Sequence, residues 1–272
     1  MGNPYARMIK FIQLEMKQLI RSKWLQIVTI LFVVTFTSVL MIQQIAMPDA
    51  EGFTRQSAAM LNVLLFLLPL FILTIGSMSL AADRESGWLN LLKTYPMSNG
   101  KYIFTKWIGL FNVFLFITLL AVTLSYMMGS FFGGISLNGP FIVFILILLL
   151  LFTSLSIFVG VIAKNRLHAL ALALGVWSMI TLILSYVLMA VGTIISENLL
   201  KTFISLSIHI NPLEWMRFSY FVFTDQSAVL GPAFYELVKF YDSTVGLFYY
   251  SLFTALWGVS PLLLATYLLK RR

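Results

Sequence analysis

The 272-residue sequence contains no cysteine, which excludes disulfides, thiolate zinc sites and thiol redox couples together. Charge is almost as scarce. Asp, Glu, Lys and Arg make up 10% of the chain, against about 25% in an average soluble domain. The polar surface needed to hold a chain of this size in water is missing. Only two histidines occur, His168 and His209, and they cannot build a metal site alone. There is no G-x-x-x-x-G-K-[ST] phosphate loop, no H-E-x-x-H helix and no G-x-S-x-G elbow. The chain is therefore expected not to be an enzyme and to carry no cofactor or metal of its own.

What is present is apolar. Hydrophobic residues make up 60% of the sequence and the mean hydropathy is +0.94. The block from Phe141 to Val161 holds no charge at all, and a run of 18 or more such residues reads as a transmembrane helix. Six candidate spans follow, at 24–46, 58–82, 102–130, 140–163, 168–195 and 243–269. Pro69 and Pro261 fall inside the second and sixth and are expected to kink them. Trp24, Trp107, Tyr126, Tyr249 and Tyr250 lie near span ends, where amphipathic rings are favoured. Gly133, Gly134, Asn138, Gly139 and Pro140 mark a charge-free turn between the third and fourth spans. Small-residue pairs at i, i+4, Ser156/Gly160 and Ala171/Gly175, read as close helix packing.

Ahead of the first span, residues 5–22 repeat with helical period. Tyr5, Met8, Ile9, Ile12, Met16, Leu19 and Ile20 share one face, and Arg7, Lys10, Lys17 and Arg21 the other. A basic amphipathic helix of this kind lies in the membrane interface. The N-terminus is accordingly not expected to be a cleavable signal peptide. The division is thus 1–23 as an interfacial helix and 24–272 as a membrane domain.

Net charge is +8 and the sequence pI is about 9.7. In a soluble protein this would point to nucleic acid; here the positive-inside rule accounts for it and no nucleic acid partner is expected. With the N-terminus in the cytoplasm, 14 of the 18 basic residues fall inside. Only Arg55, Lys201, Arg217 and Lys239 fall outside. Six crossings with both termini cytoplasmic is the consistent topology. None of the 28 charged residues lies deep in a predicted span, which argues against an ion-coupled carrier or an intramembrane enzyme. The largest outer segment is 196–242. Within it, Asn211-Pro212-Leu213-Glu214 reads as a helix start, with Asn as N-cap and Glu three residues on. Arg217 and the aromatic residues that follow are expected to form a short helix at the outer interface. It would serve as a lid or contact an extracytoplasmic partner.

The segment 83–98 carries the functional signal. Asp83, Arg84 and Glu85 end the second span, Glu85, Leu89 and Leu92 can share a helical face, and Pro96 ends the helix. The expected product is a short cytoplasmic helix tied to two spans. Glu85, Gly87, Leu89, Leu91, Leu92 and Pro96 together resemble the signature of type-2 ABC exporter permeases, with Trp88 departing from the family's usual Thr. More loosely, Asn211-Pro212 with Arg217 and the Thr94-Tyr95-Pro96 ending are similar to the permease branch used in maturation of nitrous-oxide reductase.

The resemblance implies an all-α bacterial cell-membrane permease. A second permease copy would pair with it, and two cytoplasmic ABC ATPase subunits would bind ATP and Mg. Docking would use Glu85, Gly87, Leu89, Leu91, Leu92 and Pro96, with Arg7, Lys10, Lys17 and Arg21 on the interfacial helix. Cargo stays open: copper-enzyme maturation, or export of a lipid, peptide or antibiotic. A membrane scaffold recruiting a soluble partner is the alternative from another class. The thirteen methionines read as flexible apolar filler rather than a copper path.

Overall fold

The computed structural model describes residues 4–46, 53–89, 98–130, 139–231 and 234–271. They are built from helices, with no strand among the described residues. The elements are α1 (Pro4–Arg21), α2 (Lys23–Ala46), α3 (Phe53–Glu85), α4 (Asn99–Gly129) and α5 (Gly139–Ile162). Then come α6 (Arg166–Ser178), a π turn (Met179–Ile183), α7 (Leu184–Gly192), α8 (Glu197–Ile210) and α9 (Pro212–Phe223). A 3₁₀ turn (Ser227–Leu230), α10 (Tyr235–Tyr241) and α11 (Thr244–Arg271) complete the chain. A helix satisfies its own backbone groups, which is what hydrocarbon demands of a spanning segment.

Five of the described segments are long and apolar enough to cross a membrane: Met60–Glu85, Asn99–Met128, Gly139–Ile162, Arg166–Gly192 and Thr244–Arg271. The count becomes six if Met8–Arg21 and Lys23–Val39, bent by 71° at Ser22, are taken as one broken span. Pro69 and Pro261 sit inside α3 and α11, which run through them as single helices. The expected turn at Gly133 and Gly134 lies outside the described residues.

Two compact units divide the chain. One gathers Met1–Ser136, Phe152–Leu174 and Val259–Arg272, the other Leu137–Leu151 and Gly175–Gly258. In the first, α2 packs on α3 and α4. Phe32 and Phe36 are fully buried and stack at 5.7 Å, and Phe71 meets Phe32 edge-on. Thr37 and Ser125 hydrogen-bond across the α2–α4 contact at 3.1 Å. The Ser156/Gly160 pair packs as the sequence implied: a Cβ at Gly160 would lie 2.9 Å from the Ser77 carbonyl and 3.0 Å from Leu80 Cβ. Gly175, by contrast, has nothing within 4 Å of such a Cβ. A missing side chain matters only where two helix backbones approach closely.

The second unit is organised around α9, whose residues are mostly buried. Trp215 is fully buried, stacks on Tyr250 at 5.2 Å and meets Tyr241 edge-on at 5.5 Å. Its indole N–H donates to Thr254 Oγ1. His209 lies between the Ser205 carbonyl and the Tyr241 hydroxyl, both at 2.6 Å. The carbonyl can only accept, so Nδ1 carries the proton and Nε2 accepts from Tyr241. The short helix expected after Asn211 forms as α9 and is the core of this unit. Its two charges cancel locally, with Arg217 Nη1 2.8 Å from Glu214 Oε1, so the surrounding aromatic residues can enclose it.

Candidate coupling site at the end of the third helix

Asp83, Arg84 and Glu85 are consecutive in sequence, and each is held by a different part of the first unit. Asp83 accepts a hydrogen bond from the Tyr102 hydroxyl at 2.6 Å and pairs with Lys106 at 2.8 Å, both partners on α4. Arg84 donates to the Ala163 carbonyl and, at 3.0 Å, to that of Val161. Glu85 accepts from the Arg166 backbone N–H at 2.8 Å and pairs with its side chain at 3.1 Å. The last two contacts follow from helix electrostatics. A cation satisfies the open carbonyls at the end of α5, and an anion the open N–H groups at the start of α6. Asn165 adds its own cap, accepting from the His168 N–H at 2.7 Å.

Lys106 also pairs with Glu15 of α1 at 2.6 Å and lies 3.4 Å from Ser79 Oγ. The lysine is 1% exposed, and Glu15 and Asp83 are buried with it. Close approach of α1 to α4 is possible because position 109 is glycine; a Cβ there would sit 3.0 Å from Glu15 Cβ. Sequence reasoning missed this cluster, having left Glu15 on neither face of the amphipathic helix. The signal was present. Glu15 is the one acidic residue of α1, and it shares the stripe of Ile12 and Leu19 at helical spacing. Leu19 is buried, whereas Ile9 and Ile20, assigned to the same face, are exposed.

The other expected site residues divide by position. Gly87 adopts φ +73° and its N–H returns to the Arg84 carbonyl at 3.2 Å. This is the left-handed stop that glycine favours after a helix. It corrects one expectation: Glu85 ends α3, the helical phase breaks at Gly87, and Glu85 and Leu89 do not share a face. A helical turn resumes at Trp88 and Leu89. Leu91, Leu92 and Pro96, with Thr94 and Tyr95, lie outside the described residues, as does the side chain of Arg7. Lys10, Lys17 and Arg21 are exposed on α1.

Asn211 is the N-cap of α9, accepting from the Leu213 N–H at 2.9 Å, with Pro212 in the first turn. Its amide also donates to the Ile180 carbonyl in the π turn at 2.6 Å, where the widened helix frees an acceptor. Glu214 turns to Arg217. Burial raises its carboxyl above the usual carboxylate range, and Arg217 opposes the shift.

Long apolar helices, five or six of them able to cross a bilayer, define a polytopic membrane protein, and a buried ionic joint lies at one end of α3. The chain matches the sequence profile described as "ABC-2 family transporter protein" over residues 10–272, and it belongs to that family. It is similar to the probable ABC transporter permease protein NosY of Pseudomonas aeruginosa, with 25% identity over 268 residues, 95% of this chain and 96% of the relative. The protein of the same description from Stutzerimonas stutzeri is 25% identical over 194 residues, 68% of this chain and 70% of its own length.

Proposed function

We propose that the chain is the membrane permease subunit of an ATP-driven exporter whose ATPase is a separate polypeptide. Two permease copies and two ATPases form the transporter, in the cytoplasmic membrane of a bacterium. Six spans, both termini in the cytoplasm, and residues 1–23 as an interfacial helix complete the reading. Membership of the ABC-2 family and the permease names of its relatives support it.

The observation that carries the proposal is the divergence of three successive charges at the end of α3. A partner pressing on the segment 83–98 would move α1 and α4 through Asp83, Lys106 and Glu15. The same push would reach the α5–α6 turn through Arg84 and Glu85. Buried ionic contacts hold such a joint together because separating one partner leaves the other charge uncompensated in a poor solvent. Gly87, the exposed Trp88 and Leu89 would then form the start of the docking helix. ATP and Mg belong to the ATPase.

The exposed apolar surface of the π turn and α7, including Met179, Tyr186, Val187 and Met189, is where a second permease copy would fit. A role in copper-enzyme maturation, through the Asn211-Pro212 and Arg217 resemblance, narrows the same reading. An extracytoplasmic partner would meet the segment 196–242.

The test is purification of the tagged chain from its native membrane in mild detergent, with mass spectrometry and an ATPase assay. A co-purifying ABC ATPase with vanadate-sensitive turnover, lost on Gly87→Leu combined with Trp88→Ala, supports the proposal. A chain that purifies without an ATPase transfers the function to a scaffold.

A further inference from the structure

A cavity of about 510 Å³ opens where α1 turns into α2, against the cytoplasmic end of α3. Its polar lining is Gln18, Ser22, Lys23, Trp24, Ser79, Asp83 and Arg166. We propose that it holds the headgroup of an anionic phospholipid, whose acyl chains run along the outer face of α2.

The charge balance favours an anion. Asp83, the one carboxylate in the lining, is already paired with Lys106 and accepts from Tyr102. Arg166 uses its Nε on Glu85, and its terminal nitrogens make no bond among the described residues. Lys23 is exposed and has no carboxylate partner among the described residues. Two cationic side chains thus border the cavity, with hydroxyls from Ser22 and Ser79. A phosphodiester matches that donor set, and basic pockets between membrane helices bind anionic headgroups by this chemistry.

The surroundings select a lipid over free phosphate. Trp24, on the rim, is an amphipathic ring of the kind that settles at headgroup level. From it an exposed apolar stripe of Trp24, Ile27, Leu31 and Val34 descends α2 at helical spacing. A molecule with its phosphate in the cavity would lay its chains on that stripe. The site adjoins the Asp83–Lys106 contact, so an occupant bridges α1, α2, α3 and the start of α6. The inference rests on the membrane location of the chain and not on ATPase docking.

The test is native mass spectrometry of the delipidated full-length protein, titrated with phosphatidylglycerol or phosphatidylcholine. We expect one phosphatidylglycerol retained per chain in preference to phosphatidylcholine. Lys23→Glu should reduce that retention at least about fivefold. Ser22→Phe, which fills the cavity without altering charge, should reduce it similarly, and Lys239→Glu, a charge change in α10, should not. Equal retention of the two lipids overturns the proposal, as does unchanged retention in Lys23→Glu and Ser22→Phe. Displacement of the lipid by millimolar inorganic phosphate overturns it too, assigning the cavity to a soluble anion.

Discussion

The Lys106 ammonium stands 2.6 Å from the Glu15 carboxylate, joining the N-terminal helix to α4 through a contact closed to solvent. With Asp83 on its other side, one cation serves two carboxylates. Removing that cation leaves both anions buried together, and breaking a buried pair in this way costs about 3–5 kcal/mol. Lys106→Met is expected to lower the thermal midpoint of the detergent-solubilised protein and to expose α1 to protease. Glu15→Gln, which leaves the Asp83 contact standing, should have a clearly smaller effect. Equal midpoints for Lys106→Met and wild type would show that the joint bears no load.

Gly160 is the second expected point of sensitivity. A leucine there collides with the Ser77 backbone of α3, and overpacking of this kind costs about 1–3 kcal/mol. Gly160→Leu should yield aggregated or poorly extracted protein in size-exclusion chromatography. Gly175→Leu, at a position with open space around it, should elute like wild type.

Gly87→Ala isolates a backbone effect. No atom lies within 4 Å of a Cβ at this position, but φ is +73°, a conformation that costs a non-glycine residue about 1–2 kcal/mol. The variant should insert normally and bind the ATPase more weakly in a pull-down, because the segment after α3 starts in the wrong direction. Asn in place of Ala, which tolerates this conformation better, should restore part of the binding.

Glu214 gives a pH dependence with a definite sign. Burial raises its carboxyl above the ordinary value and Arg217 opposes the shift, so at pH values between the unfolded and the folded pKa the folded state binds more protons than the unfolded chain. Stability from this group is present below the unfolded pKa and is lost as pH rises through the raised one. The thermal midpoint should therefore climb as the solution is taken from neutral to mildly acid. Glu214→Gln should flatten that climb. An unaltered slope in the variant would assign the dependence to another group.

The absence of native cysteine makes topology directly measurable. Asn198→Cys should react with an impermeant maleimide in intact cells. Asn90→Cys should react only after permeabilisation. The reverse pattern would overturn the cytoplasmic placement of the termini.

Hydrophobicity alone determined the membrane class and the approximate positions of the long helices, because a bilayer requires an uninterrupted apolar run and self-satisfied backbone groups. It did not show that α3 begins as early as Phe53 or that a π turn separates α6 from α7. The cap at Asn211 was equally legible, since its partner is two residues away. The fate of each charge was not. Asp83, Arg84 and Glu85 read as a block that ends a span, yet they reach α4, the end of α5 and the start of α6 respectively. Glu15 looked like a stray acid on a basic helix until α4 brought Lys106 to it. Local pattern records which residues are apolar and where a helix stops; only the packing of distant helices decides which buried charge is neutralised, and by what.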